Sequence, residues 1–92
     1  MIISFKCRDT ESLATGKRIP RFINIERVAL RKLRQLQIAE RIDDLKVPPG
    51  NHFEALKNDR EGQYSIRIND QFRICFRWTI AGAKDVEIVD YH

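Results

Sequence analysis

Two runs late in the chain alternate strictly between apolar and polar residues. Tyr64, Ile66 and Ile68 share one side of the first run, with Ser65, Arg67 and Asn69 on the other. Phe72, Ile74, Phe76 and Trp78 share one side of the second, with Arg73, Cys75 and Arg77 on the other. A period of two sends one side of each run to a core and the other toward water, so both predict half-buried strands. Asn69-Asp70-Gln71 between them is turn chemistry and makes the pair a β-hairpin. Directly opposed residues of an antiparallel pair point to the same face. A two-residue loop at Asn69-Asp70 would set Ile66 against Arg73 and mix the faces. A register with Ile68 against Phe72 matches every apolar residue and puts Arg67 directly opposite Arg73. Like charges in that position destabilise a sheet. Either an anion held between the two arginines removes the penalty, or both heads snorkel into water.

The rest of the pattern is shorter. Residues 1–6, M-I-I-S-F-K, read as an apolar strand. Asp9 caps a predicted short helix over residues 10–15, which Gly16 stops. Asn24 is the expected N-cap of the main helix over residues 25–39, with an earlier entry from Pro20 as the variant. Ile25, Val28, Ala29, Leu33, Leu36 and Ala39 fall on one arc of its wheel, and Arg27, Arg31 and Arg34 on the opposite arc. Leu30 and Ile38 fit neither arc; they touch a second element or a partner, or are simply exposed. Residues 40–46 add a helical turn or two before Pro48-Pro49-Gly50 forces a bend. Residues 52–56 read as a short strand, 57–62 as a polar loop, Ala81-Gly82 as a second turn, and 85–91 as a final strand. Helices first and short-turned strands afterwards predict one α+β domain over residues 1–92, with N-terminal helices packed on one face of a mostly antiparallel β-sheet. Arg67, Arg73 and Arg77 belong on the opposite face.

Charge sharpens this picture. The 92 residues are 42% apolar and 33% charged, with a net charge of +4, which favours nucleic acid or an acidic protein as partner. The excess is concentrated: Lys17, Arg18, Arg21, Arg27, Arg31, Lys32 and Arg34 stand against Glu26 alone between residues 17 and 34. No leader-like or membrane-spanning apolar run is present, so a cytoplasmic protein with no membrane role is expected. Cys7 and Cys75 do not make a zinc site; reduced packing thiols are expected in preference to a disulfide.

The candidate chemistry is proton transfer beside cations. No glycine-rich phosphate loop or Ser/His/Asp arrangement is present. His52, Glu54, Asp90 and His92 lack metal-ligand spacing, so no metal is expected. Cleaving RNA needs a base for the ribose 2′-OH, a donor for the leaving 5′-oxygen and cations around the phosphorane-like transition state. Histidine suits the proton steps because its unperturbed pKa is near 6.5. Arginine suits phosphate because its charge is permanent and its fork bidentate. Asp90-Tyr91-His92 follows the last strand directly.

The run E-A-L-K-N-D-R-E-G-Q-Y-S-I-R-I-N-D-Q-F-R-I-C-F-R-W, joined to V-E-I-V-D-Y-H, resembles the HigB toxins of the RelE-like superfamily. M-I-I-S-F-K and the length agree, so the resemblance spans the chain. It implies a RelE-like α+β domain with a basic, concave sheet face. It implies a type II toxin that enters the ribosomal A site and cuts mRNA without metal or other cofactor, through 2′-OH attack. The implied partners are the ribosome with its mRNA and a HigA-like helix-turn-helix antitoxin, with operator DNA reached only through that antitoxin. Carried over by position, His92 is the general acid or base, Tyr91 stacks on or orients the substrate, and Asp90 orients the histidine. Arg73 holds the scissile phosphate. Lys57, Arg60, Arg67 and Arg77 face RNA phosphates, with Lys57 nearest the transition state. Several relatives carry a histidine where this chain has Glu54. Either Glu54 replaces it as base, or His52 does so from two residues upstream on the same strand face. A slow toxin, or an RNA- or antitoxin-binding module of the same fold without catalysis, is the competing expectation. Arg27, Arg31 and Arg34 would dock the protein on ribosomal RNA.

Overall fold

A computed structural model of the protein describes residues 1–91. The two alternating runs form the centre of a four-stranded antiparallel sheet ordered β1-β2-β3-β4. These strands are β1 (Glu54–Ala55), β2 (Tyr64–Arg67), β3 (Phe72–Thr79) and β4 (Gly82–Asp90). The hairpin has the register that face-matching demands: Ile66 opposes Ile74, and Arg67 opposes Arg73. Asn69 fixes the turn by accepting the N–H groups of Gln71 and Phe72 on its side-chain oxygen at 2.8 and 2.7 Å. That is the local bond that makes asparagine a turn residue.

The apolar face carries Ile66, Ile68, Ile74, Phe76, Val86 and Ile88, all buried. Against it pack α1 (Arg8–Ala14) and α2 (Glu26–Ile38). Leu13 of α1 and Ala29, Leu33 and Leu36 of α2 are buried there, with Ile25 and Ala39 flanking. The arc read from the 3.6-residue period is therefore the buried stripe. Leu30 and Ile38 remain exposed, at 36% and 65%. Thr10 of α1 accepts the Ile88 N–H on its hydroxyl at 3.0 Å, satisfying a backbone donor along the edge of β4.

Several boundaries differ from the pattern. Residues 1–6 do not form a full strand; Ile2 and Phe5 make isolated parallel bridges to Ala83 and Val86. Asp9 lies inside α1, whose N-cap is Cys7. Asn24 is not the cap of α2. A 3-10 turn at Pro20–Phe22 enters instead, and Ile25 occupies the cap without a side-chain bond. Residues 40–46 form a 3-10 segment, Ile42–Lys46, rather than an α-helical extension. The strand expected over residues 52–56 shrinks to Glu54–Ala55, because His52 is left-handed, with φ of 43°. Strand alternation cannot run through such a residue, so His52 does not share the face of Glu54 by period two.

The final strand begins three residues earlier than expected. Its alternation breaks at a bulge between the Cys75/Glu87 and Arg77/Lys84 pairs. Asp85 there has φ of 54°, a conformation aspartate tolerates better than most residues. The extra residue lets Ala83 and Val86 both face the core although they are three apart. Gly82, at φ of 136°, is required where Met1 approaches: a Cβ would lie 2.2 Å from the Met1 carbonyl oxygen.

The basic stretch before residue 34 also sorts itself. Arg18 pairs with Glu26 at 3.6 Å and Arg21 with Asp9 at 3.0 Å. Lys32, counted in the basic excess of this stretch, is buried. Its ammonium donates to the side-chain oxygen of buried Asn51. The Asn51 amide in turn donates to Gln35 Oε1 and the Leu45 carbonyl, each at 3.0 Å. This network ties the proline-rich bend to α2.

Truncating Asn51→Ala strands a buried ammonium, and is expected to cost about 2–4 kcal/mol in urea unfolding. Lys32→Met removes the charge with its partner's burden and should cost less. Burial, with Arg31 and Arg67 adding repulsion, lowers the Lys32 pKa below its ordinary 10.5. The folded chain thus sheds this proton first, so wild type should gain stability relative to Lys32→Met as pH rises toward 10.5. An Asn51→Ala loss under about 0.5 kcal/mol would remove the network from the fold's support.

Candidate active site

Register assembles the polar face row by row. Glu54 opposes Ser65, Ser65 opposes Cys75, and Cys75 opposes Glu87, so one row crosses all four strands. The next row holds Arg67, Arg73 and Val89. Arg77, opposite Lys84, stands beyond the bulge on the same side of β3. These side chains face away from the helices, as the alternation predicts.

Arg73 is the anchored centre. Its Nε donates to Ser65 Oγ at 2.7 Å, and a terminal nitrogen donates to the His52 carbonyl. Glu54 lies 3.8 Å away, and only 12% of the Arg73 side chain is exposed. Arg67 turns the other way and pairs with Asp70 in the hairpin turn. The like-charge pair is thus relieved by separate acceptors. Neither a shared anion nor free snorkelling of both heads is needed, and Arg73 does not snorkel.

Each arginine of the face has its own carboxylate. Arg60 donates to Glu87 at 2.9 Å and to Gln63 at 3.2 Å. The Glu87 carboxylate raises the Arg60 pKa further, against the smaller opposing effect of burial. Arg77 lies 3.8 Å from Asp85. With Arg67–Asp70 and Arg73–Glu54, the four cations are matched by four acids. Lys57 is exposed in the loop before the Asn58–Arg60 turn and forms no ion pair among the described residues. His52 contributes its carbonyl to Arg73; its side chain is exposed.

The segment after β4 is stapled to the hairpin. The Tyr91 N–H donates to the Gln71 carbonyl at 2.6 Å. The Gln71 amide donates to an Asp90 oxygen at 3.0 Å. The Tyr91 hydroxyl and the Cys75 thiol lie close enough to influence each other electrostatically. Burial, with Cys75 alongside, raises the Tyr91 pKa; burial raises that of Cys75. His92 lies outside the described residues, so the expected Asp90–His92 pairing does too. Arg27, Arg31 and Arg34 are exposed on α2 and are not among the residues of this face.

Sequence reasoning missed the layer beneath. Ser65 and Cys75 are completely buried although both sit on the polar face. Ser65 aligns Arg73 and Glu87 holds Arg60, while Cys75 lies beneath the Tyr91 hydroxyl. The available signal was their place in the polar register between the arginines. Carboxylate-matched guanidiniums, a lysine without an ion pair and a phenol on one face of the sheet suit an extended polyanion with stacked bases. Among the described residues no cluster of His, Cys, Asp and Glu side chains is arranged to hold a metal ion.

Comparison with known proteins gives the same frame. Residues 10–92 match the sequence model of the RelE-like toxin HigB of type II toxin–antitoxin systems. The chain is 39% identical over 80 residues to Toxin HigB-1 of Vibrio cholerae, covering 85% of this chain and 84% of the relative. It is also 39% identical over 64 residues to an uncharacterised protein of Haemophilus influenzae, covering 70% of this chain and 61% of that protein. Its fold is similar to a chain in a YoeB–YefM complex from Staphylococcus aureus. There the TM-score is 0.63 at 17% identity, covering 100% of this chain and 98% of the other.

The buried thiol gives a direct check on the stapled segment. Burial pushes the Cys7 pKa up, but the nearby Thr10 and Asp9 amides and the Arg21 charge together outweigh it and lower the value, whereas burial raises that of Cys75. At pH 8, Ellman's reagent should therefore modify Cys7 at least about tenfold faster than Cys75. Tyr91→Ala should narrow that gap, as read by peptide mass mapping. Equal rates in the wild type would mean that Tyr91 does not cover the thiol.

Proposed function

We infer the activity of this chain from one established premise: it belongs to the HigB family of RelE-like toxins of type II toxin–antitoxin systems. The proposed activity is ribosome-dependent endoribonuclease action on mRNA in the A site, held in check by a cognate antitoxin. The single observation that carries this reading is Arg73, fixed by Ser65 and the His52 carbonyl at the centre of the polar face. A guanidinium held before substrate arrives needs no reorganisation as charge grows on a phosphate.

In the proposed mechanism the ribose 2′-oxygen attacks the adjacent phosphorus and the 5′-oxygen leaves, giving a 2′,3′-cyclic phosphate. Arg73 binds the non-bridging oxygens. Lys57, the loose cation, follows the charge that develops in the transition state. Arg60, Arg67 and Arg77 line the path of the flanking phosphates. Tyr91 stacks on or orients a base, and His92, oriented by Asp90, moves a proton. No metal is given a role. On α2, Arg27, Arg31 and Arg34 are exposed and without ion pairs among the described residues. They are suited to sequence-independent contact with ribosomal RNA phosphates.

One observation favours a slow enzyme, with a binding module as the limiting case. Glu54 is already engaged with Arg73, so it is poorly placed as a free base, and it competes with the phosphate for the same guanidinium. His52 does not lie on its strand face. The second proton-transfer group is the weak member of the set.

Induced expression in a bacterium should arrest growth and produce new mRNA 5′ ends inside translated regions. His92→Gln should lower cleavage by about 10²- to 10⁴-fold, the span of a general acid or base, and Arg73→Ala should act in the same direction. His92→Gln should keep the wild-type melting behaviour and antitoxin binding, whereas Arg73→Ala, which leaves buried Ser65 without its partner, should also lower the melting temperature. Arrest without in-frame cuts would redirect the reading to ribosome obstruction.

Glu54→His should raise cleavage by about tenfold or more, by freeing Arg73 and restoring an imidazole. An unchanged rate in a translation extract would remove Glu54 as the limiting residue.

A further inference from the structure

α2 carries a second feature that catalysis does not use. A groove of about 500 Å³ runs between the N-terminal segment, the end of α1 and α2. Ile2, Phe5, Ala14, Leu30 and Leu33 line it, with Arg34 in its wall. Leu30 was the residue that fitted neither arc of the helix. It lies one turn after Arg27 and one turn before Arg34, so the three share one side of the helix, with Leu30 between two cations. Arg27, Arg31 and Arg34 are exposed and form no ion pair among the described residues, unlike the matched arginines of the sheet face.

We propose that this groove is the seat of an acidic, amphipathic segment of the antitoxin. Its apolar residues would enter over Leu30 and its carboxylates would meet Arg27, Arg31 and Arg34. The inference rests on the toxin–antitoxin reading above. The apolar lining decides between occupants. RNA phosphates are drawn to the arginines but gain nothing from Ile2, Phe5 and Leu30. A second copy of this chain would bring its own arginines against these. Only a partner with both apolar and acidic side chains satisfies both the apolar lining and the arginines beside it. A segment seated there covers Arg34 and screens its neighbours, so antitoxin and ribosome would compete for α2 while the sheet face stays open.

The test uses the whole chain and its cognate antitoxin, with affinity read by calorimetry. Leu30→Gln and Arg34→Gln should each weaken binding by at least about tenfold, the effect of losing a central anchor. Leu30→Gln should leave ribosome binding within about threefold of wild type, because it changes no charge. Methyl chemical shifts of Ile2 and Leu30 should move on antitoxin addition in the unmutated chain, which needs no variant to fold. Unmoved methyls, or unchanged affinity in both folded variants, would overturn the proposal. So would loss of ribosome binding alone in Leu30→Gln, which would assign the groove to RNA. A concentration-dependent wild-type dimer broken by Leu30→Gln would assign it to a second copy and overturn it too. Failure of the wild type to bind the antitoxin at all would remove the toxin–antitoxin pairing itself, a different result from insensitivity of the variants.

Discussion

Ile66 and Ile74 face each other across the two central strands, and much of the site follows from that contact. A slip of one residue would turn one strand over relative to the other and send its isoleucines to solvent. The core therefore fixes the register, and the register places Arg67 against Arg73 one step away. Two positive charges become neighbours because two apolar side chains must be. The chain absorbs the repulsion locally: Asp70 draws Arg67 into the turn, while Ser65 and the His52 carbonyl draw Arg73 across the face. Packing on one side of the sheet has positioned chemistry on the other.

The same logic distinguishes the two basic surfaces. On the sheet, each arginine is held by a carboxylate, so the guanidiniums are ordered and their field at a distance is weak. On α2, Arg27, Arg31 and Arg34 are uncompensated, and their field reaches further until salt screens it over about 8–10 Å. An ordered, neutralised site suits selection of one phosphate geometry. An uncompensated helix suits capture of a large partner. Under the proposed activity, encounter and chemistry fall to different faces of a small domain.

The sequence made the central hairpin legible because strict alternation over both runs left one register that kept the faces apart. It was equally clear about the buried stripe of α2. It was silent where tertiary contacts override local preference. Lys32 reads as one more charge in a basic run, yet it is buried because Asn51 offers an oxygen after the proline-rich bend. Asn24 reads as a cap, yet Pro20–Phe22 brings the chain in by a 3-10 turn. The bulge at Asp85 hid the start of β4 by breaking its period. In the candidate site, arginines and the Asp90-Tyr91 segment stood out by chemical type. Ser65 and Cys75 did not, because their importance lies in what they lie beneath.

That distinction bears on the segment after β4. A side chain that must meet a phosphate to within a fraction of an ångström cannot hang from a free backbone, whose ordering costs about 1–2 kcal/mol per residue. Here much of that cost is met by bonds within the chain. The Tyr91 N–H is bonded to Gln71, Gln71 also holds Asp90, and the Tyr91 hydroxyl meets Cys75. All these anchors belong to the β2–β3 turn or to β3, the strand that carries Arg73. The phenol and the guanidinium are therefore referred to one rigid element. Whatever shifts that strand moves them together, and their relative geometry survives motions of the loops around them.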